Sequence, residues 1–241
     1  MATYKTKGII IKRSNLGEAD RILTIYSQKF GKIKAIAKGV RKILSKLAGN
    51  LELFCLDDLL IAEGRNLDII AGAETIKCYL NLRNNLKSTH IAYYLAEIID
   101  KMTEEKEPHP EIFDLLEAAL ENLSIKENKL LIPYFEINFL AESGFKPEVY
   151  KCVVCNQKLP QKNNSFSLES GGLVCGQCNR IDSKKISDQA IKIIRLLLNH
   201  KIQVINKIKT KNEYLKEVEK ISRLYLKTIL QKDLKSESFL K

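Results

Sequence analysis

The chain of 241 residues is 45% hydrophobic and 29% charged, enough to bury one large core or two modest ones without disulfide staples. No stretch reaches the roughly 18 uninterrupted apolar residues of a membrane span, and Met1 to Lys7 lacks the apolar centre of a secretory signal, so a cytoplasmic protein that makes no membrane contact is expected. The net charge of +11 is uneven: residues 1–80 hold 14 Lys/Arg against 8 Asp/Glu, residues 81–150 hold 7 against 13, and residues 151–241 hold 19 against 8, a field that favours polyanions at both ends even if solvated lysine-rich helices explain part of it.

The first eighty residues carry the two-residue period and β-branched content of strands at 7–12, 21–27 and 32–37, followed by apolar runs at 51–62 and 67–76. Turn residues separate them: Asn15-Leu16-Gly17, Phe30-Gly31, Gly49-Asn50 and Gly64-Arg65-Asn66. Residues 40–47 read as a short helix or a basic loop between the third and fourth strands. Five strands in this order predict an OB-fold barrel over residues 1–80, a small fold often used to bind single strands. Cys55 and Cys78 sit among apolar residues and read as separate core side chains.

From Leu80 the period becomes helical. Ile91, Leu95, Ile98, Ile99 and Met102 share one face, as do Ile112, Leu115, Leu116, Ala119, Leu120 and Leu123 after Pro110. A third helix is predicted from about Leu130 to Ser143, ending at Gly144 before Pro147. Ser187 reads as the cap of a helix carrying Ile191, Ile194, Leu197 and Leu198, and a long basic helix is expected from about Asn212 to Leu230, with a frayed tail after Asp233. The class is therefore α+β, with a helical domain over residues 81–241 into which a cysteine module at about 150–180 is inserted.

Cys152-Val-Val-Cys155 and Cys175-Gly-Gln-Cys178 are two Cys-x-x-Cys turns separated by 19 residues, a spacing suited to one four-cysteine zinc site. Each turn offers two thiolates, and four sulfurs complete a tetrahedron with no position left for water, so the zinc is expected to be structural. Free thiols or a redox pair are the competing reading. Gly176 should relieve the second turn, and Gly171-Gly172 suits a hairpin leading into it. Lys151, Lys158, Lys162 and Arg180 surround the module, either as a DNA-touching set or as ordinary solvated surface.

Residues 22–50 contain no acidic side chain, while Lys29, Lys32, Lys34, Lys38, Arg41, Lys42 and Lys46 fall there. On a strand Lys32, Lys34 and Lys38 share parity and so one face, from which several cations can follow a phosphate backbone. The predicted DNA-binding set is Lys32, Lys34, Lys38, Arg41, Lys42 and Lys46. Tyr26 and Phe30 are either stacking platforms for bases or core aromatics.

No catalytic residue is assigned. His90, His109 and His200 are scattered, and neither a phosphate-binding loop nor a nucleophile elbow is present. Asp57 and Asp58 are strand neighbours and point to opposite faces.

Read along its whole length, the chain resembles the RecO family of bacterial recombination mediators. The resemblance is carried by Gly17-Glu18-Ala19-Asp20-Arg21 with Tyr26 and Gly31, by Ala37-Lys38-Gly39-Val40-Arg41-Lys42 with Ser45, by Tyr134-Phe135-Glu136-Ile137 through Leu140, Gly144-Phe145 and Pro147, and by Phe166-Ser167 and Gly171-Gly172-Leu173-Val174 around the four cysteines. The stretch Val40-Arg41-Lys42-Ile43-Leu44 departs from it, carrying apolar residues where many relatives add more Arg or Pro. The resemblance implies an OB-fold joined to a helical domain with a zinc module. It also implies binding of single- and double-stranded DNA, annealing of complementary strands and, with RecR, help in loading RecA onto DNA coated by single-strand-binding protein, without a nucleotide cofactor and in association with the nucleoid during repair. An interaction scaffold that binds the acidic tail of single-strand-binding protein is the alternative, and a magnesium-dependent nuclease using Glu52, Asp57 and Asp58 is a third class.

Overall fold

The computed structural model describes residues 2–125, 128–178 and 183–240. Five strands, β1 (Thr3–Leu16), β2 (Asp20–Ser27), β3 (Gly31–Ala37), β4 (Leu56–Ala62) and β5 (Asp68–Lys77), close into a barrel in the order β1-β2-β3-β5-β4. Strand β1 is long enough to serve two neighbours: Gly8 to Leu16 pair with β2, and Thr3 to Ile9 pair with β4. The circle closes through a parallel contact in which Ala35 faces Asp68 and Ile36 faces Ile69. Alternation puts Ile10, Leu23, Ile25, Ile33, Ala35, Leu59, Ile61 and Ile70 inside, the pattern expected where one face of each strand is buried. This is the OB-fold arrangement anticipated from the strand order.

Of the two readings of residues 40–47, the basic loop is the one found: residues 38–50 form consecutive turns. Two local expectations change. Residues 51–55 precede β4 instead of belonging to it. Cys55 and Cys78 are not separate core residues. They form a disulfide with Cα atoms 4.5 Å apart, because the register sets Leu56 opposite Lys77 and so brings the two preceding and following positions together. Gly31 has φ +64, and a Cβ there would lie 2.0 Å from the Glu107 carbonyl oxygen, so both its backbone and the chain crossing it require glycine.

Helices α1 (Leu80–Arg83), α2 (Leu86–Met102) and α3 (Pro110–Ile125) follow. The Asn85 side chain caps α2 by accepting from the Ser88 amide at 3.0 Å. Ile91, Leu95, Ile98 and Ile99 are buried, as their spacing predicts. The tail after Asp233 is not frayed: Lys235–Leu240 is a 3-10 helix, Glu97 on α2 accepts from the Ser236 amide at 2.8 Å, and the Phe239 ring lies 5.2 Å from that of His90. Met1–Lys126 and Leu234–Lys241 thus make one compact unit.

Glu127–Asp233 is the other unit. Helix α4 (Leu131–Leu140) runs on as a wider turn to Phe145, where Gly144 reverses the backbone at φ 86. Helices α5 (Asp188–Asn199), α6 (Ile202–Ile205) and α7 (Asn212–Leu230) complete its helical part. Phe135, Phe139 and Leu140 are fully buried, and so is Glu136; that carboxylate is held by Ser222 and Arg223 of α7, which makes its burial tolerable. Ser187 caps α5 as predicted, accepting from the Ala190 amide. Between α4 and α5 lies a three-stranded sheet, β6 (Ser165–Ser167), β7 (Gly172–Val174) and β8 (Lys184–Lys185), in the order β7-β6-β8. Among the described residues no helix is long and apolar enough to cross a membrane.

Candidate metal centre and nucleic-acid interface

The four cysteines converge. Their sulfurs all lie within 4.8 Å of one another, and the Cys155 and Cys175 sulfurs are 4.0 Å apart. A tetrahedral ion with ligands about 2.3 Å away separates its sulfurs by about 3.8 Å, so the set fits a single metal ion after only small adjustments. The first turn is closed by the Asn156 amide donating to the Cys152 carbonyl at 2.8 Å, with Asn156 itself at φ 59. The second is a 3-10 turn, Gly176–Cys178, whose Cys178 amide donates to the Cys175 carbonyl at 3.0 Å. Gly176 eases a close approach and does not supply an unusual φ: a Cβ there would stand 3.1 Å from the Asn163 carbonyl oxygen, a tight contact. Gly171, at φ +66 in the β6–β7 hairpin, does supply the left-handed backbone, and a Cβ there would approach the Tyr225 hydroxyl to 2.7 Å.

The thiols respond to one another in opposite senses. Burial disfavours ionisation of Cys152, yet amide donors from Cys155, Cys175 and Val154 outweigh it and bring the thiol down to about 6. Hydrogen bonds with the Cys175 and Cys155 sulfurs push Cys178 up to about 12. A divalent cation bound by the four sulfurs would favour the thiolate form of all of them.

This centre holds a segment that packs on helices. Arg195 of α5 donates from Nε and Nη2 to the Val149 carbonyl at 2.9 and 2.6 Å. Tyr225 of α7 donates to the Phe145 carbonyl at 3.1 Å and lies edge-on to Phe166. Cys152, Cys175 and Cys178 sit beside Val174 in a small apolar cluster with Val153 and Leu159, while Cys155 is exposed. Lys151, Lys158 and Lys162 are exposed nearby, whereas Arg180 lies outside the described residues.

The basic segment divides. Lys32 is 7% exposed, and its ammonium donates to the carbonyls of Asp100 and Thr103 at 2.6 and 2.5 Å. These belong to the C-terminal end of α2, where unpaired carbonyls and the helix dipole attract a cation. Strand parity alone assigns Lys32 to the outer face of the barrel, but that part of the face is covered by α2 and by residues 105–106 running beside β3. Lys34 is exposed and ion-paired with Glu105. Arg41 is exposed, with one guanidinium nitrogen donating to the Gly17 carbonyl at 2.8 Å. Lys38, Lys42 and Lys46 are exposed, and none has an ion pair among the described residues. The tip of the β1–β2 hairpin supports this loop: Asp20 accepts from the Gly39 amide at 2.7 Å, and the Ala19 carbonyl accepts from the Arg41 amide at 2.9 Å. The Gly-Glu-Ala-Asp-Arg run therefore has a local role that its composition did not announce.

Tyr26 is fully buried and belongs to the core. Phe30 is partly exposed and packs against Tyr4 with ring centroids 4.5 Å apart. Asp57 is buried and accepts from the Thr75 hydroxyl at 2.8 Å, Asp58 faces out, and Glu52 pairs with Arg13 and Arg83. These three carboxylates do not converge on one point, and the four cysteines are the one metal-ligating group found among the described residues.

Comparison with known proteins matches residues 1–79 to the family described as Recombination protein O N terminal and residues 83–238 to Recombination protein O C terminal. The DNA repair protein RecO of Dehalococcoides mccartyi is 38% identical over 97% of this chain and 93% of its own. The same-named protein of Roseiflexus sp. is 34% identical over 98% and 84%, and that of Alkaliphilus metalliredigens 35% identical over 92% of each.

Proposed function

Because the chain belongs to the RecO family of DNA repair proteins, we propose that it anneals complementary DNA strands in recombinational repair and, with RecR, helps load RecA onto DNA coated by single-strand-binding protein. The observation that carries the DNA-binding part is the turn-built loop of residues 38–46: it presents Lys38, Lys42 and Lys46 to solvent inside a stretch, 22–50, without one acidic residue. Arg41 and Lys34 extend this face with part of their charge already engaged. Lys32 is left out of the DNA set, since its charge is spent inside the protein.

Cations in this position lower the repulsion between two phosphate backbones and release their counterions, while base pairing supplies the sequence information. Nothing in that step needs a nucleophile or a nucleotide, and the protein acts as a non-enzymatic mediator. One zinc ion on Cys152, Cys155, Cys175 and Cys178 is assigned a structural role, fixing residues 148–178 against α5 and α7. A strand-annealing assay at low salt, with zinc measured on the same sample, tests this reading. Annealing with about one zinc per chain supports it, and failure to anneal contradicts it.

A second reading is favoured by the open groove of about 510 Å³ lined by Ile11, Tyr93 and Phe239, by Lys235, and by Lys12 and Lys101 paired with Asp100 and Glu97. Apolar walls beside Lys235 suit a peptide with an apolar end and an acidic group, as in the tail of single-strand-binding protein, and make the chain chiefly a scaffold. Measuring affinity for a tail peptide and for bare DNA separates the two.

A further inference from the structure

Ile43 and Leu44 are 101% and 94% exposed. They are the two most exposed large apolar side chains among the described residues, and the one pair of them adjacent in sequence. Single exposed apolar residues are ordinary, but an adjacent pair held fully in water calls for a partner. The loop that carries them is not slack. Val40 and Leu51 are buried in the barrel core and Leu47 packs against it; Arg41 is tied to Gly17 and Ala19; and the Lys42, Ser45 and Ala48 amides donate to Gly39, Lys42 and Ser45 carbonyls at 3.1, 3.0 and 3.3 Å. The result is an apolar tip on a braced stem, with Arg41 and Lys42 before it and Lys46 after it.

We propose that Ile43 and Leu44 form a wedge that packs against the bases of a bound single strand and parts one base step, while Lys42 and Lys46 hold the phosphates on either side. The proposal rests on the DNA-binding reading given above. Aliphatic side chains set among cations are a recurrent device for unstacking bases, because the cations fix the backbone while the apolar tip replaces one base–base contact. A bilayer is the other surface with an anionic face and an apolar interior, but two aliphatic side chains bury too few methylenes to anchor a protein of this size. A nucleotide step is the better match in scale. Parting one step leaves neighbouring base edges displayed for pairing with a second strand, which gives the loop a part in annealing beyond charge neutralisation.

The test uses the full-length protein and a single-stranded oligonucleotide of alternating adenine and 2-aminopurine, whose fluorescence rises as bases unstack. At saturation the wild-type protein is expected to raise the signal about twofold, and I43S/L44S to lose most of that rise while its affinity stays within about threefold and its salt slope is unchanged. I43M/L44M, which keeps an apolar tip, is expected to retain the rise. Both pairs lie in solvent, and an unchanged thermal midpoint checks that they fold. A full rise with I43S/L44S, or none with the wild type, overturns the wedge. Sedimentation with phosphatidylglycerol vesicles that depends on Ile43 and Leu44, without a fluorescence rise, assigns the tip to lipid and also overturns it. The charge variant K42E/K46E separates the two levels: if its DNA affinity equals that of the wild type, the loop is not the DNA face and the underlying reading fails with the wedge.

Discussion

The cysteine module and the basic loop are both short segments built largely of turns, yet they differ in what makes them functional. In the module, four sulfurs must reach one point, and two tight turns joined by a hairpin bring them within 4.8 Å. In the loop, the proposed DNA contact depends on which cations remain free, and that is decided by packing from elsewhere in the sequence. Lys32 and Lys38 look equivalent in a strand pattern, but α2 takes the first and leaves the second in solvent. A ligand set is defined by its own spacing, whereas a charged face is defined by what covers it.

The largest expected effect breaks the module. Cys152→Ser with Cys155→Ser should abolish zinc binding and loosen residues 148–178, since structural zinc sites contribute on the order of 10 kcal/mol to the folding of small modules. Zinc content and limited proteolysis check this, and DNA affinity should fall far less than zinc content does. The disulfide offers a contrast between cysteine pairs. Cys55→Ser with Cys78→Ser should lower the stability of the barrel unit by about 3 kcal/mol in denaturant unfolding, from the loop that the bond closes, with zinc content unchanged.

Lys32→Met sharpens the difference between lysines. It strands two carbonyls at the end of α2, so a loss of about 2 kcal/mol in stability is expected, with no change in the salt dependence of DNA binding. The smallest effect concerns pH. Burial raises the Asp57 carboxyl from 3.8 to about 6, so the folded protein holds this proton more tightly than the unfolded chain. Stability from this group is therefore greatest at low pH and declines as pH rises from about 4 to 6. Asp57→Asn should flatten that decline by about 1–2 kcal/mol, measured as unfolding free energy at pH 4 and pH 7.

Much of this was legible in the sequence where short-range rules apply. Alternation revealed the strands, the spacing of the four cysteines anticipated that they cluster, and Ser187 and Gly144 marked helix ends. Long-range pairing was not legible. The Cys55–Cys78 bond depends on the β4–β5 register, and the ordered tail depends on Glu97, 139 residues before Ser236. The exposure of Ile43 and Leu44 also defied hydropathy, since the neighbouring Val40 and Leu51 are the buried anchors and Leu47 packs against them.

The distinction between free and engaged cations is tested most directly by the salt dependence of single-stranded DNA affinity for the wild type and for K38E/K42E/K46E, with zinc measured on the same samples. The expected result is a slope of log affinity against log salt shallower by about 2 in the variant, roughly 0.7 for each lysine, with zinc unchanged. An unchanged slope at full zinc content would contradict it and place the DNA face elsewhere.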